Sequence, residues 1–437
     1  MPGSSILYAF YGDDFTGSTD ALQQLGSHGV PSALFLRPPT ARDLAAFPEA
    51  RAIGIAGESR SRGPEWMDEN LPGIFERMRS FGAPVNQYKV CSTFDSSPSA
   101  GCIGRAIELG MRVFGGDAPA HTLVPIVVAA PHLRRYVAFG HLFAAEPGGG
   151  VVRIDRHPMS RHPVTPMRES DLRRHLGRQT ALPVGLVDLT ELQPGAPAPS
   201  LRGRGVTLFD GVDAATQARA GELIWMQARE SPLFSASSSG LTAALIAAWR
   251  KEGLLPPDPP VRTAPAPASP LLALSGSCSV ATERQIRQAL DRGFFGIRIE
   301  PSQLLDASSA DAGRILQAAS EALRSGRSTV LYTALGAPSG QACGSALGSA
   351  LGDLLLQLLS VRRVPRVVLC GGDTCSHAVQ RLDADALTWA SDLCSGAPVC
   401  RTHSGDPRLD GLELVLKGGQ LGGDDLLLRA RDGAAAP

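Results

Sequence analysis

A proline-rich stretch divides this sequence of 437 residues into two parts. Residues 253–270 read GLLPPDPPVRTAPAPASP and contain seven prolines. Proline fixes φ and has no amide N–H, so this stretch can neither continue a helix nor form a central strand. We expect a semi-rigid, extended linker. It would separate a first domain, residues 1–252, from a second domain, residues 271–437.

Both parts alternate short apolar runs with helix-like segments. In the first part, ILYAFYG, RAIGIAG, TLVPIVVAA and GVTLFDGV each end in turn residues, and segments such as STDALQQLGSHG follow or lie between them. In the second part, LLALSGSCS, STVLYTALG, RVVLCGGDT and LELVLKGGQLGG repeat the pattern. This order predicts two α/β domains with largely parallel sheets covered by helices.

Composition narrows the classes of function. Lys plus Arg and Asp plus Glu each number 42, so charge gives no argument for binding nucleic acid or an anionic membrane. We find no apolar run long enough to span a membrane and no signal-peptide pattern, and we expect a cytoplasmic protein. The eight cysteines form no CxxC motif. A metal site around Cys370, Cys375 and His377 is an alternative, but reduced cysteines packed as small apolar residues are the favoured interpretation.

Two adjacent carboxylates, Asp13 and Asp14, follow the first apolar run. Ligands of parallel sheets collect at the carboxyl ends of strands, and two carboxylates there suit a polyhydroxylated ligand. Either one could serve as a general base. The alternative is that one aspartate caps a helix and the other is solvated. A haloacid-dehalogenase type site is disfavoured, because adjacent side chains on an extended chain point to opposite sides.

Three loops of small residues in the second part predict a phosphate site. The segments LSGSCS, CGGDTCS and KGGQLGG each follow an apolar run. Glycine lets backbone N–H groups approach a phosphate, and the following helix presents its positive end. Lys417 could neutralise charge on a transferring phosphoryl group. One such loop alone could be a plain turn. The GxxxxGK[ST] and GxGxxG fingerprints are absent, which disfavours a dehydrogenase.

Six motifs occur in an order that carries a family resemblance: GDDFTG at 12–17, SR at 59–60, KVCST at 89–93, GSCS at 276–279, GGDT at 371–374 and KGGQLG at 417–422. Together they resemble the four-carbon acid sugar kinases over nearly the whole chain. The resemblance implies that the first domain binds a sugar acid such as threonate, erythronate or a 3-oxo-tetronate, and that the second binds ATP. It also implies an active site in the cleft between the domains and magnesium-dependent transfer of the γ-phosphoryl group to a hydroxyl.

The resemblance also implies site residues. On the substrate side, with Asp14 or Asp13 as catalytic base, these are Asp13, Asp14, Arg60, Lys89, Ser92 and Thr93. On the nucleotide side they are Ser275, Gly276, Ser277, Gly371, Gly372, Asp373, Thr374, Lys417, Gly418, Gly419 and Gly422. The ligands of magnesium stay open, and a homodimer is one option for the assembly. A non-catalytic sensor that binds a sugar acid and a nucleotide is the alternative function.

The chain departs from the family where an anionic substrate would be held. The family pattern K-I-D-S-T-L-R-G reads KVCSTFDS here, so Cys91 replaces an acid and Asp95 stands where an arginine is expected. Arg161 and His162, from the basic segment 153–167, could supply the missing positive charge, or that segment could be a solvated loop. These departures suggest a branch with a different acid, for which 3-oxo-isoapionate is the candidate beside a plain tetronate.

Overall fold

The computed structural model describes residues 6–115, 122–146, 149–162, 164–261, 264–305, 310–336 and 344–433, without the side chains of 310, 344, 345 and 373. The chain forms two compact units, residues 1–32 with 38–259, and residues 33–37 with 260–437. No helix or strand lies between α7, which ends at Lys251, and β12, which begins at Leu271, in the described residues of that proline-rich stretch.

The strands of the first half of the chain are β1 Tyr8–Gly12, β2 Ser32–Phe35, β3 Ala52–Ala56, β4 Val85–Lys89, β5 Val124–Val127, β6 Arg135–Ala138, β7 His141–Ala145, β8 Val151–Arg153, β9 Val184–Val187, β10 Val206–Phe209 and β11 Leu233–Ser237. The helices are α1 Phe15–Gly26, α2 Ala41–Ala45, α3 Pro64–Arg79, α4 Ile103–Phe114, α5 Leu172–Leu176, α6 Ala214–Glu230 and α7 Ser239–Lys251. Short 3₁₀ helices cover Ser59–Ser61, Pro131–Leu133 and Pro158–Arg161.

The main sheet of the first unit contains the parallel strands β11-β4-β1-β3 in that order. From β1 the chain first builds one side of the sheet, at β3, and then crosses to the other side, at β4. The strand order therefore reverses between β1 and β4, and ligands of open α/β sheets bind at such a switch point. The side chain of Trp249 in α7 packs edge-on against Tyr8 of β1, with ring centroids 6.2 Å apart, and anchors this sheet to its helical layer.

Two smaller sheets complete the first unit, which the sequence predicted as one parallel sheet. Strands β5-β10-β9 form a parallel sheet, and β6-β7-β8 form an antiparallel meander. The meander strands are half-exposed and lack the continuous apolar runs of buried parallel strands, which explains why their sequence gave no strong signal.

The second unit has the strands β12 Leu271–Ser275, β13 Phe295–Arg298, β14 Thr329–Tyr332, β15 Arg366–Cys370, β16 Ala386–Cys394, β17 Ala397–His403 and β18 Glu413–Lys417. Its helices are α8 Val280–Asp291, α9 Pro301–Leu305, α10 Ala310–Arg324, α11 Gly344–Val361, α12 Gly372–Arg381 and α13 Leu426–Asp432. Strands β18-β15-β12-β14-β13 are parallel, whereas β16 and β17 are antiparallel additions that the sequence did not predict. Residues 33–37 belong to this unit because Leu34 and Phe35 pair with β16.

The second unit also has a switch point. From β12 the chain builds β13 and β14 on one side, and then crosses to β15 on the other. The apolar side chains of β12, β15 and β18 are fully buried, as expected for strands covered on both faces. The α/β class and the largely parallel sheets are thus confirmed. No helix among the described residues is long and apolar enough to cross a membrane.

Candidate active site

Asp14 begins helix α1 as its N-cap. Its backbone is extended, and its carboxylate accepts hydrogen bonds from the backbone N–H of Gly17 and the hydroxyl of Thr16, each at 2.7 Å. These bonds satisfy a donor that the first turn of any helix leaves unpaired. The capping half of the alternative is therefore correct for Asp14. The other half is wrong, because Asp13 is buried and not solvated.

Arg60 joins the two aspartates. It lies in the 3₁₀ turn after β3, which is the neighbour of β1, and its backbone N–H donates to the carbonyl of Asp13 at 3.0 Å. Its Nη2 and Nε atoms bond the two carboxylate oxygens of Asp13 at 2.6 Å and 3.1 Å. Its Nη1 atom bonds Asp14 at 2.8 Å. A single guanidinium thus offsets the repulsion between two adjacent carboxylates.

Burial gives Asp13 an unusual proton affinity. It raises the pKa of Asp13 to about 6, and the charge of Asp14 adds to this effect, while Arg60 opposes it. For Arg60 itself, burial opposes the charged form, but the two carboxylates outweigh burial and hold the pKa well above its usual value. A carboxylate with a pKa near 6 is suited to accept a proton at neutral pH.

Lys89 ends strand β4, on the other side of β1. Its carbonyl accepts a hydrogen bond from the N–H of Asp13 at 2.9 Å, and its buried ammonium lies 3.6 Å from the carboxylate of Asp20. Gly17 marks where these groups meet. A Cβ atom there would lie 2.4 Å from Asp14 Oδ1, 3.0 Å from Lys89 Nζ and 3.5 Å from an Arg60 nitrogen. The absence of a side chain at residue 17 therefore leaves room for these three charged groups.

The loop after β4 forms a second polar group. The Thr93 hydroxyl donates to Asp95 Oδ1 at 2.5 Å, and the Thr165 hydroxyl lies 3.2 Å from Asp95 Oδ2. His162 Nδ1 accepts the N–H of Thr165 at 3.1 Å. Burial alone would raise the pKa of Asp95, but the positive charge of Arg60, the Thr93 hydroxyl and the charge of His162 lower it.

The predicted substrate-side residues of these loops differ in position. His162 is brought to the Thr93–Asp95 group, as the sequence suggested. Arg161 is exposed, which fits the solvated-loop alternative, and Ser92 is half-buried beside Thr93. The sequence did not single out Gly17, Asp20 or Thr165. Only the motif spacing of GDDFTG could have indicated Gly17, because the other two depend on contacts between distant segments.

The glycine loops of the second unit meet at its switch point. A Cβ atom on Gly276, after β12, would lie 2.3 Å from the Thr374 hydroxyl, after β15. Gly371 has a φ of 113°, which favours glycine, and a Cβ atom there would lie 3.3 Å from the N–H nitrogen of Ser277. A Cβ atom on Gly419, after β18, would lie 3.0 Å from the hydroxyl oxygen of Ser277. The three loops therefore touch one another.

Two helices begin at these loops. Helix α8 starts after Ser279, whose hydroxyl accepts the N–H of Thr282 at 3.1 Å, and helix α12 starts at Gly372. The first turn of a helix leaves backbone N–H groups without intrahelical partners, and these groups and the positive dipole end favour an anion such as a phosphate. The predicted residues Ser275, Gly418 and Gly422 lie in the same loops, whereas the side chain of Asp373 lies outside the described residues.

Lys417 is fully buried. Its ammonium donates to the Thr282 hydroxyl at 2.7 Å and to the Gly419 carbonyl at 3.0 Å, and burial lowers its pKa. Gln285 adds hydrogen bonds to the carbonyls of Leu421 and Gly422, at 3.0 Å and 3.2 Å. Lys417 therefore fastens the last glycine loop to helix α8, and Gln285 does the same through separate bonds. The sequence analysis singled out neither Thr282 nor Gln285.

Within the described residues, the cysteines give no sign of a metal centre. None of the seven cysteines in the part of the chain that the structure describes forms a disulfide. Among those same residues, no three His, Cys, Asp or Glu side chains are grouped to hold a metal ion. Cys370 and Cys375 are buried beside Lys417, where they pack as small apolar residues.

Comparison with known proteins gives both units a counterpart. Residues 8–245 match the family model of a sugar-binding N-terminal domain, and residues 272–427 match that of a nucleotide-binding C-terminal domain. A solved structure from Salmonella typhimurium, described as a putative tRNA synthase, has a TM-score of 0.75 at 21% identity and covers 97% of this chain and 98% of that one. A Haemophilus influenzae structure has a TM-score of 0.68 at 22% identity, with 97% and 99% covered. These two likenesses concern the fold alone.

Relatives of known activity align over nearly the full length. The chain is 45% identical to a 3-oxo-isoapionate kinase of Paraburkholderia graminis, over 99% of this chain and 96% of the relative. It is 32% identical to a 3-oxo-tetronate kinase of Methylobacterium radiotolerans, over 98% and 99%. The chain therefore belongs to the four-carbon acid sugar kinase family.

Proposed function

We propose that this chain phosphorylates 3-oxo-isoapionate with ATP. The broader activity, a sugar-acid kinase that uses ATP, follows from its family. The observation that carries the narrower substrate is 45% identity to a 3-oxo-isoapionate kinase, against 32% to a 3-oxo-tetronate kinase. The replacement of the expected acid and arginine by Cys91 and Asp95 supports a substrate other than a plain tetronate.

In the reaction we propose, Asp13 is the proton acceptor. Its two oxygens each accept one bond from Arg60 and keep a further lone pair for a substrate hydroxyl. The hydroxyl gives its proton to Asp13 while its oxygen bonds the γ-phosphorus of ATP. The bond from that phosphorus to the β-phosphate oxygen breaks, and ADP leaves with the electron pair. Asp14 has a different role, because it caps α1 and orients Arg60.

The remaining residues position the reactants. Lys89, buried at the end of β4 with Asp20 as its counter-ion, holds the substrate side of the site together. Ser92, Thr93 and His162 line the same side, and their groups suit the hydroxyls of a sugar acid. In the second unit, the loops after β12, β15 and β18 bind the ATP phosphates through backbone N–H groups, with Lys417 holding the last loop in place. Positioning and charge neutralisation are the main needs of phosphoryl transfer.

We also propose that Mg²⁺ enters with the nucleotide. Mg²⁺ usually keeps several waters and binds through substrate phosphates and one or two carboxylates, and not in a cage of protein ligands. The lack of a three-residue cluster among the described residues fits this mode. The ion would neutralise charge on the phosphates. We also propose that the reaction takes place in the cytoplasm, where ATP is regenerated. A homodimer remains a prediction, which light scattering would test.

The test is a substrate panel with the purified protein and Mg-ATP. ADP release is measured with 3-oxo-isoapionate, 3-oxo-tetronates, and erythronate and threonate in both hands. We expect the highest kcat/KM for 3-oxo-isoapionate. A higher value for a tetronate would overturn the narrower substrate but not the kinase. Binding of a sugar acid and ATP without any turnover would support the sensor alternative.

A further inference from the structure

An anionic substrate needs a cation that is not already neutralised. Three nitrogens of Arg60 bond Asp13 and Asp14, and Lys89 lies beside Asp20. The arginine that the family pattern places at residue 95 is an aspartate here. Both cations near the substrate side, Arg60 and Lys89, are therefore already paired with carboxylates of the protein.

Arg135 reaches the same edge of the first unit through neighbouring strands. Strand β4 ends next to β11, where the N–H of Val90 donates to the Ser237 carbonyl at 2.8 Å. The Ser237 hydroxyl accepts the N–H of Val127, at the end of β5, also at 2.8 Å. Ala130 follows β5, and its backbone pairs with that of Arg135 through bonds of 3.0 Å and 3.1 Å. This series of contacts places Arg135 beyond the carboxyl ends of β4, β11 and β5.

The guanidinium of Arg135 has free hydrogen-bonding capacity. Its Nη1 atom donates to the carbonyls of Leu133 and Arg134, at 3.1 Å and 3.2 Å. Its Nε atom is buried without a hydrogen-bond partner among the described residues, and no carboxylate in that part of the chain pairs with it. A buried N–H left without an acceptor is unfavourable, so a ligand oxygen that bonds it is favoured.

Cys91 explains why Arg135 has no carboxylate partner among the described residues. The two side chains lie within electrostatic range of each other, and Cys91 is also within range of Arg60. Burial lowers the pKa of Arg135, in contrast to Arg60, which carboxylates stabilise. An acid at residue 91, as in the family pattern, would neutralise Arg135. In this chain the acid lies at Asp95, where Thr93 and Thr165 bond it.

We propose that Arg135 binds the carboxylate of the sugar acid through its Nε edge and so helps determine substrate specificity. The inference rests on the proposed function, since it assumes a sugar-acid substrate. An arginine presents two parallel N–H groups to a carboxylate, which gives orientation as well as charge. Cys91 contributes indirectly, by leaving this guanidinium without an internal carboxylate.

The first test compares Arg135→Gln with Arg134→Gln, the exposed neighbour. Loss of a charge-assisted hydrogen bond should raise the KM for the sugar acid about 10- to 100-fold in Arg135→Gln, with an unchanged KM for ATP. Arg134→Gln should behave as wild type. Arg135→Lys, which keeps the charge without the paired N–H groups, should fall between the two. An unchanged KM in Arg135→Gln would overturn the proposal.

A second test separates recognition from a structural role. The amide of the sugar acid lacks the negative charge, so Arg135→Gln should turn it over with the same kcat/KM as wild type. An equal loss on the acid and the amide would show a merely structural role.

Cys91→Asp should raise the KM for the acid by supplying a carboxylate to Arg135, and Cys91→Ser should not. Unchanged kinetics in Cys91→Asp would contradict the explanation.

The outcomes also distinguish this inference from the proposed function. Wild-type turnover with unchanged Arg135→Gln kinetics removes only the role of Arg135. If the wild type shows no turnover, binding of 3-oxo-isoapionate is measured by calorimetry. Binding that Arg135→Gln weakens would support the inference and reject the kinase, and absence of binding to the wild type would reject both.

Discussion

Arg60 bonds both carboxylate oxygens of Asp13, at 2.6 Å and 3.1 Å, although 47 residues separate the two in the chain. The same guanidinium bonds Asp14, so one cation holds two adjacent buried anions. The pairing depends on β1 and β3 being neighbours, which brings their carboxyl ends together. The candidate active site is therefore built on a long-range ion pair that also contributes to the stability of the fold.

Replacement of Arg60 should destabilise the protein. Arg60→Met leaves two buried carboxylates without a counter-ion, and breaking a buried ion pair in this way costs on the order of 3 kcal/mol. The free energy of unfolding, measured with urea, should fall by about that amount. Arg79→Met removes a pair whose side chains are both 59% exposed and should change the same quantity by less than about 1 kcal/mol. Equal effects would contradict the role of Arg60.

Asp13→Asn should reduce kcat while leaving the fold intact. Loss of a general base costs about 10²- to 10⁴-fold in rate, and asparagine preserves the shape of the side chain. The KM for ATP should stay near its wild-type value. Asp68→Asn, at an exposed carboxylate paired with Arg105, serves as the control and should leave kcat unchanged. A wild-type rate in Asp13→Asn would remove Asp13 as the base.

The pH dependence follows from the raised pKa of Asp13. Burial raises that pKa to about 6, and the carboxylate accepts a proton only in its ionised form. We therefore expect kcat/KM to rise with pH, with a midpoint near the pKa of Asp13, about 6, and to level off at higher pH. The residual activity of Asp13→Asn should lack this step. A profile in which the step persists in Asp13→Asn would assign it to another group.

Two variants of Asp14 should distinguish the contribution of its helix cap from that of its charge. Asparagine is as good an N-cap as aspartate, whereas alanine cannot accept the N–H of Gly17. Asp14→Ala should therefore be about 1 kcal/mol less stable than Asp14→Asn, by chemical denaturation. Both variants lose the bond from Arg60 to a charged oxygen, so both should be less active than wild type. Equal stability of the two variants would show that the cap contributes nothing.

Lys417→Met should weaken nucleotide binding. The substitution removes the ammonium that links the Gly419 carbonyl to the Thr282 hydroxyl and so loosens the last glycine loop. We expect the KM for ATP to rise about 10-fold, from the loss of hydrogen bonds to a charged group, with little change in the KM for the sugar acid. Lys251→Met removes an exposed lysine and is the matched control. An unchanged KM for ATP would exclude Lys417 from the nucleotide site.

The local features of the fold could be predicted from the sequence because they depend on neighbouring residues. The apolar runs that became β1, β12 and β15 are buried on both faces and end in the glycines and acids that follow them. The half-exposed meander β6-β7-β8 and the antiparallel pair β16 and β17 carry weaker patterns, and they were missed. Arg135 begins the first of these meander strands, which is why the sequence did not suggest it.

Contacts between distant segments could not be predicted in this way. Asp13 and Asp14 were singled out correctly as a strand-end pair, but their arginine partner became apparent only once β1 and β3 were known to be adjacent. Lys417 was expected to face a phosphate, yet its ammonium is buried against Thr282 and the Gly419 carbonyl. Strand order decides both cases, and no local pattern specifies it.

The most direct test of the central claim is ADP release with Mg-ATP and 3-oxo-isoapionate, measured side by side for wild type and Asp13→Asn. We predict rapid, substrate-dependent release by the wild type. For the variant we predict a rate that is lower by a factor of at least about 10², with an unchanged KM for ATP. Substrate-dependent release that is equal in the two proteins would contradict the proposed site. No substrate-dependent release by the wild type with any sugar acid would contradict the proposed function itself.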